Sequence, residues 1–306
     1  ELMRFIFLIS TLFLVACKPA SEPNDPVTLD TSVSVVDFSG ATVTLQAPAE
    51  RIISLAPHIA ENVYSAGAGE KLIGVVSYSD YPAAVKDLPL VGGYASINVE
   101  KIIELQPDLI IGWESGNSSA SIKQLQTLGY PVYIDQPDTL ADVARSIKDI
   151  GLLSGTSHIA IPAADNFLLN INKIEDSYKA KSKLKTFYQV WNDPLQTING
   201  THIISDAIAL CGGINIYADE PVIAPVINIE SILERNPDAI IASGMSSARP
   251  DWLDEWYHWP SLTAVQRDHL FFVDPDHIQR HTVRILLGIE AICHQLDSAR
   301  ASAQQP

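Results

Sequence analysis

Short β-branched runs alternate with helical stretches over most of the chain. Residues 33–37 and 42–45 alternate apolar and polar side chains around a turn, which predicts a β-hairpin. After the hairpin, the pattern predicts two buried strands with a helix between them that stops at Gly67. These three elements are 51–55, 59–66 and 72–76. Alternation of this kind is typical of a parallel sheet built from βαβ units.

An internal repeat indicates two related halves. Residues 98–112 read NVEKIIELQPDLIIG and residues 228–242 read NIESILERNPDAIIA, with eight of fifteen positions identical at a constant offset of 130. Each copy predicts an Asn cap, a short helix, a Pro stop and a buried strand. The sequence therefore predicts two similar α/β lobes.

A long helix is predicted between these halves. Residues 163–185 contain no Gly or Pro, and their apolar positions recur at helical spacing. Such a helix is roughly 35 Å long, at ~1.5 Å per residue, which is enough to connect two small lobes. The predicted fold class is thus α/β, with two similar lobes, mostly parallel central sheets, one linking helix and a ligand cleft between the lobes.

The N-terminus has the pattern of a targeting segment. Arg4 precedes a mostly apolar stretch that ends in Leu14-Val15-Ala16-Cys17, which resembles a bacterial lipobox. The stretch is shorter than the ~20 residues that span a bilayer. We expect a signal peptide at 1–16, lipidation of Cys17 and a flexible tether at 17–32. An ordinary secretory signal with a chance cysteine is the alternative.

The charge and the cysteine content of the chain limit its possible partners and its compartment. The chain has 20 Lys+Arg against 36 Asp+Glu, which gives a net charge of −16 and argues against nucleic acid as a partner. A lipid anchor would place the chain outside the cytoplasm, where disulfides persist. Cys211 and Cys293 then remain as an even pair, either bridged or as two buried thiols.

Catalytic and metal motifs are sparse. The sequence contains no P-loop, G-x-S-x-G, C-x-x-C or H-E-x-x-H motif. His277 and His281 lie four residues apart, with Asp274 and Asp276 nearby, so they could present two metal ligands on one helical face. Solvated or hydrogen-bonded loop histidines are the simpler interpretation, and we expect no metal site and no enzyme.

Aromatic residues follow several predicted strands. Tyr78, Tyr81, Tyr94 and Trp113 come after strands of the first lobe, and Trp191 after a strand of the second. Ligands of open α/β sheets bind at this carboxyl edge of the strands. The pattern favours a cleft for a large, partly flat ligand.

A resemblance to a known family runs from about residue 33 to residue 296. It rests on RIISLAPHIAENVYSAGAGEKLIGVVSYSDYP, VGGYASINVEKIIELQPDLIIGWESGN, LCGGINIY and INIESILERNPDAII, which keep their order. These segments resemble the periplasmic cobalamin-binding proteins of ATP-binding-cassette importers. The resemblance implies lobes at 33–155 and 186–306, a linking helix at 156–185, limited closure of the lobes and a Cys211–Cys293 disulfide.

The resemblance also implies the contacts of a corrinoid ligand. Tyr78 and Trp113 match cobalamin-contacting aromatics, and Tyr94 stands where a close relative has Trp. The further ligand-binding residues that we expect are Tyr81, Trp191, His277 and Arg280. Aromatic pocket residues are replaced at Val190, Ala224 and His277, so a modified corrinoid such as cobinamide, or weaker cobalamin binding, is expected.

Glu100 and Glu230 occupy matching positions in the two repeats. Acids in a first helical turn are favourable against the helix dipole whatever their function. In the family, the matching glutamates dock into arginines of the membrane permease. We therefore expect a monomeric extracytoplasmic lipoprotein, periplasmic or on the cell surface, that delivers a corrinoid to a permease dimer.

Four other functions remain open at this point. Imidazole is a good axial ligand for iron, so His58 and His277 leave haem as an alternative ligand. Arg280 and Arg284 are the nearby cations that an iron–siderophore chelate would need. A metal-dependent enzyme using His277 and His281, or a surface-assembly protein, would be a function of another class.

Overall fold

Two four-stranded parallel sheets organise the computed structural model, which describes residues 31–302. Its strands are β1 Val33–Val36, β2 Thr42–Leu45, β3 Ile52–Ser54, β4 Leu72–Gly74, β5 Leu109–Trp113, β6 Val132–Asp135, β7 Leu184–Gln189, β8 Trp191–Asn192, β9 Leu195–Gln196, β10 Gly213–Asn215, β11 Ala239–Ala242 and β12 Leu270–Phe272. Its α-helices are α1 Pro57–Ser65, α2 Val99–Glu104, α3 Ser119–Thr127, α4 Leu140–Leu153, α5 Ser157–Tyr178, α6 Ile203–Leu210, α7 Ile229–Arg235, α8 Thr263–Gln266, α9 Pro275–Ile278 and α10 Ile285–Ser302. Short 3₁₀ turns lie at Gly69–Lys71, Ala83–Asp87 and Asp251–His258.

The first lobe is built on the sheet β4-β3-β5-β6, preceded by the antiparallel hairpin β1–β2. Successive residues of β5 pack on opposite faces, with Leu109 and Ile111 against α1 and α4 and Ile110 against α2 and α3. Burial on both faces is the usual state of parallel strands and explains their continuous apolar runs. The predicted hairpin and parallel sheet are confirmed.

The second lobe repeats this plan with the sheet β10-β7-β11-β12. Ile241 of β11 packs on the side of α6 and α10, and Ile240 packs with Phe187 and Trp256 on the other side. One apolar core runs from the first lobe through α5 into the second lobe. The two lobes are therefore packed together, which favours limited closure.

The repeated Asn and Asp residues make equivalent hydrogen bonds in both lobes. The side chain of Asn98 accepts from the third backbone N–H of α2, and Asn228 does the same at α7. The carboxylate of Asp108 accepts from the backbone N–H of Arg51 at 2.9 Å, just before β3. Asp238 accepts likewise from Lys185 of β7 at 2.8 Å. The two copies of the repeat therefore share the same helix cap and the same contact to the neighbouring central strand.

The linking helix differs from its predicted bounds. Helix α5 includes Pro162 and ends at Tyr178, whereas the sequence pattern predicted a helix over 163–185. The start is earlier although Pro162 lies at the sixth helical position, where it removes one intrahelical hydrogen bond. Ala160 and Ala164 on either side of it are buried in the core, and this packing offsets the cost. The end is earlier because Leu184 enters β7, the strand paired on both sides in the second sheet. Pairing in the sheet outweighs the helical propensity of the lysine-rich stretch.

Cys211 and Cys293 form a disulfide that joins the end of α6 to the middle of α10. Both residues are buried in the core of the second lobe. The bridge that the resemblance implied is confirmed. Cys17 and the predicted signal peptide and tether at 1–16 and 17–32 lie outside the described residues, apart from 31 and 32.

Candidate functional site

A cleft lies between the carboxyl edges of the two sheets, with a volume of about 280 Å³. The first lobe contributes Trp113, Ser115, Gln136 and Asp138 to its walls. The second lobe contributes Val190, Ile198, His202, Ile203, Ile204, Ile223, Ala224, Gln279 and His281. These walls are largely apolar, with a few neutral polar groups and one carboxylate. Both sheets place their ligand-facing edge where parallel α/β sheets place it generally.

Trp113 is the largest side chain on the cleft wall. It ends β5, and its ring lies against Gly116, where an added Cβ would fall within 1.8 Å of the indole. The ring meets His58 edge-on at 5.2 Å between centroids and lies 5.9 Å from the ring of Tyr94. Its buried Nε1 has no hydrogen-bond partner among the described residues. Trp113, His58 and Tyr94 thus form one group of rings at the cleft, and within the described part of the chain the indole N–H of this group has no acceptor.

Asn117 holds this aromatic group in place and was not singled out from the sequence. Its Oδ1 accepts a hydrogen bond from the backbone N–H of Trp113 at 2.6 Å. Its Nδ2 donates to the carbonyls of Leu55 at 2.9 Å and Tyr94 at 2.8 Å. One buried side chain thus joins three loops at the sheet edge, and only the fold reveals that they meet.

Tyr78 and Tyr81 stand at the rim on the loop after β4. Tyr78 has φ +68° and is 79% exposed, an unusual conformation for a bulky residue. The guanidinium of Arg284 stacks 4.0 Å above the ring of Tyr81, so this contact crosses between the lobes. Backbone strain at an exposed residue such as Tyr78 is a feature of many ligand-binding loops.

A seam of charges, centred on the buried carboxylate of Glu61, joins the lobes beside the cleft. Glu61 of α1 is 3% exposed and pairs through Oε1 with Arg280 at 2.9 Å and Arg284 at 3.1 Å. Arg280 also pairs with Asp80 at 2.7 Å and Asp276 at 2.9 Å. Burial alone would lower the pKa of Arg280, but its bonds to Asp80 and Glu61 raise the pKa above its ordinary value. Both predicted cations are thus engaged by carboxylates.

Three histidines lie in a row at the cleft, and two of them, His202 and His281, line it. The ring of His281 lies 5.8 Å from that of His58 and 5.9 Å from that of His202. Burial lowers the pKa of His202 to about 4, although Asp138 acts in the opposite direction. Burial, followed by His58 and His202, holds the pKa of His281 well below its ordinary value. His202 and His281 are therefore neutral imidazoles near pH 7.

His277 and His281 do not share a helical face. Helix α9 ends at Ile278, and the chain then crosses toward the first lobe, where the Nδ2 of Asn62 donates to the His281 carbonyl. The alternative of two metal ligands on one helical face is therefore wrong, because the contact with α1 holds His281 beyond the end of the short helix α9. Within residues 31–302, no group of three or more His, Cys, Asp or Glu side chains could hold a metal ion.

Trp191 and His277 lie outside the residues that line the cleft. Val190 faces the cleft, and the indole of Trp191 donates to the Asp193 carbonyl at 2.9 Å in the hairpin β8–β9. Of the predicted ligand-binding residues, Trp113 is in the wall, Tyr78, Tyr81 and Tyr94 are exposed on loops of the first lobe, and Arg280 is in the seam.

Glu100 and Glu230 occupy the first turns of α2 and α7 and are exposed. Neither carboxylate forms an ion pair with another described residue. They belong to matching elements of the two lobes, as the repeat predicted.

The chain matches the model of the periplasmic binding protein family over residues 52–277. It is 37% identical over 254 residues to the vitamin B12-binding protein of Vibrio cholerae serotype O1, covering 83% of this chain and 91% of the relative. The crystal structure of the periplasmic vitamin B12-binding protein of Vibrio cholerae superposes with a TM-score of 0.76 at 35% identity, covering 84% of this chain and 99% of that one. A possible iron-binding periplasmic solute-binding protein of Staphylococcus epidermidis aligns with a TM-score of 0.71 at 27% identity, covering 81% and 98%.

The fold and the cleft define a two-lobed substrate-binding protein. The chain belongs to the periplasmic binding protein family. None of the helices within residues 31–302 combines the length and apolar character needed to cross a membrane.

Proposed function

We propose that this chain is the extracytoplasmic substrate-binding component of an ATP-binding-cassette importer and that its ligand is a corrinoid, cobalamin or cobinamide. The observation that carries the proposal is the largely apolar cleft, with Trp113 in its wall and Tyr94 beside it, in a chain 37% identical to a vitamin B12-binding protein. An aromatic side chain that buries about 200 Å² contributes roughly 5 kcal/mol before the costs of binding.

The charges at the cleft favour a ligand with a neutral periphery. Corrinoids carry peripheral amides, whereas haem and many siderophores carry carboxylates or other anionic groups. Arg280 and Arg284 are held by Glu61, Asp80 and Asp276, and Asp138 adds a negative charge to the wall. An anionic ligand would meet this acid without a free guanidinium to offset it, so a corrinoid fits better than haem or a siderophore.

Small side chains widen the second-lobe wall. Val190 and Ala224 line the cleft at positions where the resemblance places aromatic residues. The wall opposite Trp113 therefore stacks less strongly on a macrocycle. This supports acceptance of cobinamide beside cobalamin and weaker binding of each than a fully aromatic wall would give.

Glu100 and Glu230 are proposed to dock the permease dimer. Both are exposed, both follow an Asn cap, and each is on one of the two lobes. A symmetric pair of carboxylates suits a partner that presents one basic patch from each of two similar subunits. The docked protein would hold the cleft over the transport path.

The N-terminal segment is proposed to anchor a monomer to a membrane. Removal of 1–16 would leave Cys17 as the lipidated residue and 17–32 as the tether. Mass spectrometry of the Cys17 peptide from the membrane fraction tests this step. A Cys17→Ser variant should be recovered without lipid.

Equilibrium dialysis of the purified protein against cyanocobalamin tests the ligand. We expect saturable binding of one corrinoid per chain, and strong weakening in Trp113→Ala. Absence of saturable binding would contradict the proposal.

A further inference from the structure

His202 lines the cleft and also caps a helix. It is the N-cap residue of α6, and its Nδ1 accepts from the backbone N–H of Ile204 at 3.2 Å. Among the described residues, none hydrogen-bonds the other ring nitrogen, Nε2. The imidazole therefore has one edge fixed to its own helix, and the side chain forms part of the cleft wall.

The capping bond sets where the proton of the neutral ring resides. A nitrogen that accepts from a backbone N–H must carry a lone pair, so in neutral His202 the proton is on Nε2. The ring stays neutral near pH 7, because burial lowers its pKa to about 4 despite Asp138. His281, the other titratable group against this ring, is neutral as well. The helix start thus holds a neutral N–H donor at the cleft wall.

We propose that His202 is a ligand-binding residue that donates its Nε2–H to a carbonyl oxygen of a neutral amide on the corrinoid periphery. This assignment rests on the proposed function and specifies one contact of the same site. A neutral donor beside the Asp138 carboxylate suits an amide better than an anionic acceptor, because Asp138 would repel the latter.

The same geometry argues against His202 as an axial metal ligand. Metal ligation through Nε2 requires the proton to move to Nδ1. Nδ1–H would then face the Ile204 N–H, so the cap would be lost and two donors would oppose each other. His202 is accordingly set to recognise the edge of the macrocycle and not its metal.

Two substitutions of His202 distinguish the effect of its Nε2–H donor from the effects of its capping bond and of its ring. His202→Ser keeps a good N-cap acceptor but has no N–H to offer, and His202→Phe keeps a ring but loses both nitrogens. Calorimetry with cyanocobalamin should show an affinity loss of about fivefold to tenfold in both variants. His202→Ser should retain the wild-type melting temperature, and His202→Phe should not. His258→Ser, at an exposed histidine outside the cleft lining, is the matched control and should change neither quantity.

Wild-type affinity in both His202 variants would overturn the assignment while leaving the corrinoid function intact. A loss of affinity in His202→Ser with wild-type affinity in His202→Phe would also overturn the assignment, because the contact of the ring, and not its N–H, would then account for the effect. A wild-type protein that does not bind cyanocobalamin or cobinamide would overturn the proposed function together with this contact.

The tautomer gives a readout that a purely structural role would not predict. Long-range proton–nitrogen NMR of protein labelled with ¹⁵N-histidine, assigned by loss of the signal in His202→Ser, should show the proton on Nε2 at pH 7. The absorption spectrum of bound diaquocobinamide should be the same in wild type and His202→Ser. A proton on Nδ1, or a spectrum that depends on His202, would contradict the assignment.

Discussion

Glu61 of the first lobe and Arg280 of the second form a largely buried ion pair across the lobe boundary, with 2.9 Å between Oε1 and Nη1. Thr282 donates to the other oxygen of Glu61 at 3.1 Å, so the second lobe satisfies both oxygens. The adjacent Asn62 donates to the His281 carbonyl at 3.0 Å. Helix α1 is thus held by the loop after α9, which ties the two lobes together beside the cleft.

Removal of the Glu61 carboxylate should destabilise the protein strongly. Glu61→Ala leaves the half-buried Arg284 without its carboxylate and takes one partner from Arg280, so we expect about 3 kcal/mol less free energy of unfolding. Urea denaturation measures this loss. Glu104→Ala, which breaks an exposed pair with Lys101, is the control and should cost under about 1 kcal/mol. Equal effects from the two substitutions would show that the seam contributes no special stability.

The Cys211–Cys293 disulfide should matter mainly through the unfolded chain. It spans a sequence separation of 82 residues, for which the chain-entropy model gives about 4–5 kcal/mol. A double variant with Ala at both positions should unfold at lower urea by a corresponding amount. Reductant should destabilise the wild type and leave the double variant unchanged. Reductant-insensitive stability of the wild type would contradict a stabilising bridge.

Trp113→Ala should weaken corrinoid binding at least tenfold, or about 1.4 kcal/mol, because the ring occupies the cleft wall. Trp191→Ala is the matched comparison, since that indole is tied to Asp193 outside the lining. We expect a smaller loss there, measured by the same titration. A larger loss in Trp191→Ala would mean that the hairpin β8–β9 contacts the ligand directly.

Joint substitution of Glu100 and Glu230 by Ala should abolish transport and leave ligand affinity unchanged. The control removes the same charge from the other end of the same helices, in Glu104→Ala with Glu234→Ala. Corrinoid uptake by cells that depend on this chain separates the two pairs of substitutions. The docking role fails if the first pair lowers ligand affinity but transports normally, or if both pairs lose transport equally.

Acid should destabilise the protein partly through His202. Its pKa is lowered to about 4 in the folded chain, so between about pH 6.5 and pH 4 the unfolded chain binds more protons. Stability from this group is therefore full above pH 6.5 and falls as the pH drops toward 4, by roughly 3 kcal/mol at most. His202→Ser should show a shallower fall in melting temperature over this range. Identical pH profiles would contradict the low pKa.

Local patterns in the sequence predicted the repeated elements well. Asn98 and Asn228 are the expected caps, and β5 and β11 follow where the Pro stops placed them. These features depend on residues close in the chain. The aromatic position of Trp113 was also predicted, because the carboxyl edge of a parallel strand follows from topology.

Apart from the Cys211–Cys293 disulfide, which the resemblance implied, contacts between distant segments were not predicted. Glu61 could be any helix-face acid until the loop after α9 is placed over it, and His202 could be any histidine until α6 begins at the cleft. Either Val190 or Trp191 could face the cleft, because successive side chains at the end of a strand point in opposite directions. The sequence alone does not show that Val190 is the one that does. The end of α5 depends on the pairing of β7 with its neighbours.

Titration calorimetry of the purified protein with cyanocobalamin, cobinamide and haemin tests the central claim most directly. We predict one-to-one binding of at least one corrinoid that weakens at least tenfold in Trp113→Ala, and weaker or absent binding of haemin. Tight haemin binding with a Soret band, and no heat from either corrinoid, would contradict the assignment of this cleft to corrinoids.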